Sequence, residues 1–453
     1  MKNLPSSANS WYNKSVKMPV VEKDKIINFW ALFIVMLAPA VLIIIEFCAK
    51  KMINFSGWAY IIAFLVFVGL IIWPLAGFEK LQKPRIFNKN NAKLRIAVYF
   101  FALFLIWACI STIFATDIKL ALFDIYPRGE GLLMFFMYAV IFCGAMAIDK
   151  TNQRRFLLLA FLVSATVICL IEIIDYFTLN INLKYFSEMT NAPFANSNHQ
   201  GYFLTMQILL SAGIICFYDF KFEKYLSLIN LFLTTFLLCL NNTFGCQLAV
   251  IFSLVVLTIF ALIKDKKISN KIILIWLIII ATISLATTVQ IKFVKTDRNF
   301  YNNIKTFFGD VSAVKGGGEA AGNAGSGRWS LWMECLKNIR EHPLVGIGLN
   351  CQIIVNPSLS ASRPHNELLQ FASTMGLPSL IFYLGGLIVL IIEFMKKLKT
   401  IKPWVFGVFF AAFGYFVSSF FGVSIPYAFV YYVIFLGLLI SGLMDANLKN
   451  TEI

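Results

Sequence analysis

Apolar and polar positions alternate along this chain in long blocks. Runs dominated by Phe, Leu, Ile and Val recur, and short polar stretches separate them. A helix rises 1.5 Å per residue, so about 20 apolar residues cross ~30 Å of hydrocarbon. The pattern predicts twelve spans, over 27–47, 55–77, 96–115, 131–148, 156–174, 201–219, 225–240, 245–263, 272–290, 378–395, 403–422 and 427–443. A transmembrane barrel would show alternating strands of ~10 residues, and the chain shows none. The expected fold is therefore an all-α polytopic membrane protein with about twelve transmembrane helices. The first 26 residues are polar and lysine-containing, which argues against a cleavable leader.

Composition agrees: 59% of the 453 residues are hydrophobic and only 14% are charged. A net charge of +16 would suggest a nucleic-acid partner in a soluble protein, but here its distribution explains it better. The segments before span 1 and after spans 2, 4, 6, 8, 10 and 12 hold 25 of the 39 Lys and Arg residues. Short basic loops stay cytoplasmic, so both termini are expected there, with Lys50 and Lys51 as the misfit. The predicted organisation is a cytoplasmic N-terminus (1–26), spans 1–9 (27–290), a large extracytoplasmic loop (291–377), spans 10–12 (378–443) and a cytoplasmic C-terminus (444–453).

Polar chemistry collects in three outer segments, 116–130, 175–200 and 291–377, which contain all three histidines, His199, His342 and His365. In the largest, VKGGGEAAGNAGSG (314–327) reads as a mobile loop or lid. Its spacing does not match a phosphate-binding loop. From Arg328 the pattern predicts an amphipathic helix with Leu331, Trp332, Cys335, Leu336 and Ile339 on its apolar face, stopped by Pro343. Gly346 and Gly348 suit a tight turn. A second short helix is expected from SRPHNELLQFASTMG, with Ser362 as N-cap, Pro364 at its first position and His365 in its first turn.

His365, near the positive end of a helix dipole, would be held neutral and could act as a general base, or could simply hydrogen-bond within the loop. Arg328 and Arg128 could bind a diphosphate bidentately or meet lipid headgroups. Asn366, Asn196, Asn198 and His199 could grip sugar hydroxyls; for Asn196, Asn198 and His199, serving the start of span 6 is the favoured alternative. Arg363 is only a sequence neighbour of His365, and Glu367 reads as a first-turn acid. Glu172 and Asp175 suit interfacial solvation, and Glu393 can pair with Lys396 or Lys397. Most of the nine cysteines read as small hydrophobes, although Cys335 and Cys351 share the outer segment and could form a disulfide. No paired Asp-x-Asp, His/Cys metal cluster or Gly-x-Ser-x-Gly element occurs, so neither a metal nor another cofactor is expected. Absence of mid-span charge argues against an ion-coupled transporter.

Four stretches in order, YPRGEGLLMFFMYAVIF, APFANSNHQGYFLTMQ, SGRWSLWMECLKNIREHPLVGIGLN and RPHNELLQFASTMGLPSLIFYL, resemble the O-antigen ligase-like family of ligases, polysaccharide polymerases and bacterial O-oligosaccharyltransferases. The resemblance implies a GT-C-type glycosyltransferase of the bacterial plasma membrane with its site on the extracytoplasmic side. It further implies metal-independent, inverting transfer of a glycan from an undecaprenyl diphosphate carrier to a hydroxyl of a glycan, glycolipid or protein. His365, Arg328 and Arg128 fall on residues the family uses. Where members often carry a Ser-Arg pair, this chain has NNTFGCQLA. A flippase or exporter of the lipid-linked glycan is the rival expectation.

Overall fold

The computed structural model describes residues 85–124, 129–180, 194, 196–218, 220–355 and 363–449. The predicted spans at 27–47 and 55–77, Lys50, Lys51, Arg128 and Ser362 lie outside the described residues. Those residues form α1 (Ala92–Ile113), α2 (Ile118–Phe123), α3 (Leu132–Ala147), α4 (Thr151–Asn180), α5 (Ser197–Phe217), α6 (Lys221–Leu240), α7 (Phe244–Lys264) and α8 (Ser269–Val289). They continue as α9 (Phe300–Gly316), α10 (Gly318–Asn323), α11 (Arg328–Glu341), α12 (Gln352–Val355), α13 (Glu367–Met375), α14 (Leu377–Lys396), α15 (Pro403–Ser418) and α16 (Pro426–Lys449). Among the described residues, nine helices are long and apolar enough to cross a membrane, and α3 is a shorter apolar helix. This is an all-helical, polytopic architecture, and ten of the predicted spans coincide with a helix.

The most apolar windows of α5 and α16 are 94% and 100% buried within the protein, so these two helices form the centre. Small residues let the helices approach closely: a Cβ on Gly213 of α5 would overlap the backbone of Gly407 in α15. Gly385 and Gly386 of α14 likewise receive the rings of Phe100 and Phe101 from α1. At one end of the bundle Arg85, Arg154 and Lys402 all converge on Asp445, at 2.8, 2.5 and 2.8 Å. Their loops are the basic ones of the sequence pattern. Glu393 pairs there with both Lys396 and Lys397, as expected. At the opposite end sit the connections that carry the candidate chemistry.

Several local expectations are corrected. The Gly-rich 314–327 stretch is largely helical, ending α9, forming α10 and turning at Gly325 and Gly327 into α11. The short helix begins at Glu367, with Asn366 as N-cap, because the Asn366 side chain accepts the Leu369 N–H at 3.0 Å. His365 therefore precedes the helix, in the left-handed region at φ 52°, rather than lying in its first turn. Leu336 is exposed, whereas Cys335 and Asn338 are the buried residues of α11. Cys335 and Cys351 are both free thiols. Glu172 is buried, not solvated at an interface.

Candidate active site at the loop end of the bundle

The segment after α11 is woven between α1 and α13. Ile347 and Gly348 donate their N–H groups to the carbonyls of Ser373 and Thr374, at 3.1 and 2.8 Å, and Leu377 N donates to Pro343 O at 2.8 Å. From α1, Ser111 Oγ donates to Val345 O at 2.7 Å, and Trp107 Nε1 lies 3.1 and 3.0 Å from the carbonyls of Leu344 and Met375. The crossing is too tight for side chains. A Cβ on Gly346 or Gly376 would overlap the backbone of Thr374 or Leu344, and both glycines have positive φ. This crossing fixes the end of α11 against the end of α13. Trp332 of α11 then donates from Nε1 to Pro364 O at 2.9 Å, which ties α11 to the residue before His365.

Within that frame His365 is half-buried, and its Nδ1 has no hydrogen-bond partner among the described residues. Burial first, then the nearby positive charges of Arg328 and Arg363, push the imidazole down to about 4 from its ordinary 6.5. The ring is neutral at neutral pH. Arg328 opens α11 after Gly327, whose φ is 81°. Among the described residues, no hydrogen bond or ion pair occupies the Arg328 guanidinium, although its charge reaches His365 and Tyr202. An uncommitted cation thus stands beside an uncommitted imidazole.

Arg363 is the opposite case. Only 5% exposed, it donates to Glu130 Oε2 at 2.6 Å, Asp124 Oδ2 at 3.1 Å, Asn350 Oδ1 at 2.7 Å and the Ser424 carbonyl at 2.6 Å. Glu130 also accepts from Tyr138 Oη at 2.6 Å, and Asn350 Nδ2 donates to the Glu130 carbonyl at 3.0 Å. Burial raises the Glu130 carboxyl against the pull of Arg363. One guanidinium joins the α2–α3 connection, the turn after Gly348, the His365 segment and the α15–α16 connection. The sequence reading had set Arg363 aside, and the structure makes it the most connected side chain of the site. In sequence its two carboxylates, Asp124 and Glu130, flank the five residues that include Arg128.

Glu367 is likewise no solvated first-turn acid. It is fully buried and accepts from Tyr383 Oη at 3.1 Å and Tyr415 Oη at 2.9 Å, while Tyr383 and Tyr432 share a 3.0 Å hydrogen bond. Burial pushes the carboxyl up to about 8 despite those bonds. Tyr415 meets Tyr202 edge to face at 6.1 Å, linking the cluster to α5. Near the start of α5, Asn196 accepts the Asn198 N–H at 2.8 Å as N-cap. His199 Nδ1 lies 3.1 Å from Phe194 O, and its ring stacks on Tyr427 at 5.9 Å. No hydrogen bond among the described residues links Asn196, Asn198 or His199 to His365 or Arg328. Asn241, in the stretch that departs from the family pattern, bonds to Gln200. No set of three His, Cys, Asp or Glu side chains converges among the described residues to hold a metal ion.

Fold and site together define a polytopic helical membrane protein with a buried, charge-bracketed polar site at one end. Residues 229–384 match the sequence model of the O-antigen ligase family. The match spans Arg328 and His365 and supports an O-antigen ligase-like family for this chain, with membrane glycan transfer as its general activity. No curated protein matches the chain.

Proposed function

We propose that the protein is a membrane glycosyltransferase that moves a glycan from an undecaprenyl diphosphate carrier to an acceptor hydroxyl of a glycan, glycolipid or protein. The observation that carries this reading is the neutral His365 imidazole, its Nδ1 without a partner among the described residues, near an Arg328 guanidinium that no described residue pairs. The acceptor oxygen attacks the anomeric carbon as the carbon–oxygen bond to the diphosphate breaks, and the bonding pair leaves with the phosphate oxygen. One displacement inverts the anomeric centre. Arg328, with Arg128, offsets the charge that develops on the diphosphate, so no metal ion is required.

His365 takes the acceptor proton. The surroundings of His365 keep its basicity low, because burial and two arginines oppose a further positive charge. A bound diphosphate places negative charge beside Arg328 and relieves that opposition, so the imidazole becomes a stronger base when the donor is present. Asn198 and His199 are candidates for glycan contact. Asn366 and Asn196 use their carbonyl oxygens as caps and keep only their amide N–H groups to donate. The 291–377 segment is assigned as the catalytic loop, on the extracytoplasmic side of a bacterial plasma membrane.

Purified protein in lipid nanodiscs, supplied with lipid-linked glycan and acceptor, tests the proposal. His365→Ala should abolish product while the protein stays folded, and Arg328→Lys should fail because a point charge cannot replace the planar fork. Normal product from His365→Ala would remove that residue from the reaction. A flippase or exporter would leave the glycosidic linkage unchanged in the wild-type assay.

A further inference from the structure

Helix α9 lies within the 291–377 segment but carries none of the site residues named above, and its apolar residues have a consistent pattern. Phe300, Tyr301, Ile304, Phe307, Phe308, Val311 and Val314 recur at helical spacing and cover an arc wider than ~100°. None of its residues is buried. Tyr301 is 71% and Phe308 65% exposed, while Phe300 and Phe307 turn towards the Phe244 ring, at 6.2 and 6.0 Å. Only one margin of the stripe touches the bundle.

The place of the helix says what the other margin meets. Phe244 is the first residue of α7, and Asn303 donates to Asn242 Oδ1, in the α6–α7 turn, at 2.6 Å. The chain enters α9 five residues after a π-helical turn (Gln290–Val294) that extends the candidate span containing α8. So α9 lies at the level where three candidate membrane-crossing helices end, and Ile291 and Phe293 of the π-helical turn that precedes it are 53% and 68% exposed. Between 291 and 316 the chain carries Lys292, Lys295, Arg298, Lys305 and Lys315 against Asp297 and Asp310. An aromatic apolar face combined with a basic excess is the chemistry that seats a helix in the headgroup region.

We infer that α9 is an interfacial anchor, lying in the plane of the bilayer with Tyr301, Phe308 and Val311 inserted among lipid acyl chains. The occupant of its free face is the lipid surface rather than another protein segment. Through the Gly317–Gly318 turn, both at φ 71°, the anchored helix leads by α10 to Arg328.

The full chain would be reconstituted in vesicles of phosphatidylcholine and phosphatidylglycerol containing a diazirine-tailed lipid, photolysed, and mapped by mass spectrometry. Label is expected on Tyr301, Phe308 and Val311, as on the exposed Leu277 and Ile280 of α8, with little on Thr306 or Asp310 of the opposite face. A Tyr301→Ser/Phe308→Ser variant should lose the α9 label several-fold while keeping that on α8. Label on α8 with none on α9 would overturn the assignment. So would photo-crosslinks from a reactive residue introduced at 308 to residues 27–77, because the face would then be covered by this chain's own spans. Neither readout depends on glycan transfer.

Discussion

Arg363 and His365 stand two residues apart and are used in opposite ways. His365 keeps a ring nitrogen without a partner, whereas Arg363 spends its guanidinium on Asp124, Glu130, Asn350 and the Ser424 carbonyl. Replacing Arg363 by Met would strand two buried carboxylates, a change that costs about 3–5 kcal/mol when one partner of a buried pair is removed. Arg363→Met should therefore lower the melting temperature in detergent and abolish transfer, and adding Glu130→Gln should restore part of the stability without restoring transfer. Wild-type melting by the single variant would show that the bracket is dispensable. His365 and Arg328 were put forward by motif order. Arg363 was not, because its carboxylate partners lie 233 and 239 residues away and nothing local in SRPHN announces them.

At the scale of the element, long apolar runs made the spans readable, since a bilayer imposes length and composition together. Short elements were harder. Pro364 suggested a first helical position, yet the left-handed backbone at His365 delays the helix to Glu367. Helix α9 had a readable apolar stripe that the surrounding Asn, Lys and Thr residues obscured. The crossing of the 343–349 segment over α13 depends on glycine, which gives a paired prediction. Gly376→Ala meets both positive φ, worth about 1–3 kcal/mol, and the Leu344 carbonyl. It should reduce folded yield and thermal stability. Gly309→Ala, in open space within α9, should instead stabilise by ~0.5–1 kcal/mol. Equal behaviour of the two variants in a thermal melt would contradict the crossing as described.

For the whole molecule, two buried groups couple stability to pH in opposite directions. The His365 value falls on folding from 6.5 to about 4, so the unfolded chain binds the proton more readily, and stability is lost as pH drops through that window. The Glu367 value rises from 4.5 to about 8, so the folded state holds its proton, and stability is lost as pH rises through that window. Melting temperatures of His365→Gln should be flatter than wild type below pH 6.5, and those of Glu367→Gln flatter towards pH 8. Curves parallel to wild type would refute the assignment of these two groups.

Hydrophobic blocks and the placement of Lys and Arg determined that this chain is a polytopic helical bundle with one basic end, because the bilayer rewards those features residue by residue. Motif order put Arg328 and His365 forward as candidates for one chemical centre. Which polar residues build that centre was decided only in three dimensions. Glu130, Glu367 and Arg363 look like ordinary surface charges in one dimension, and their meaning comes from burial against partners on distant helices. A buried charge must find its counterpart wherever the fold delivers one, and local periodicity carries no record of that meeting.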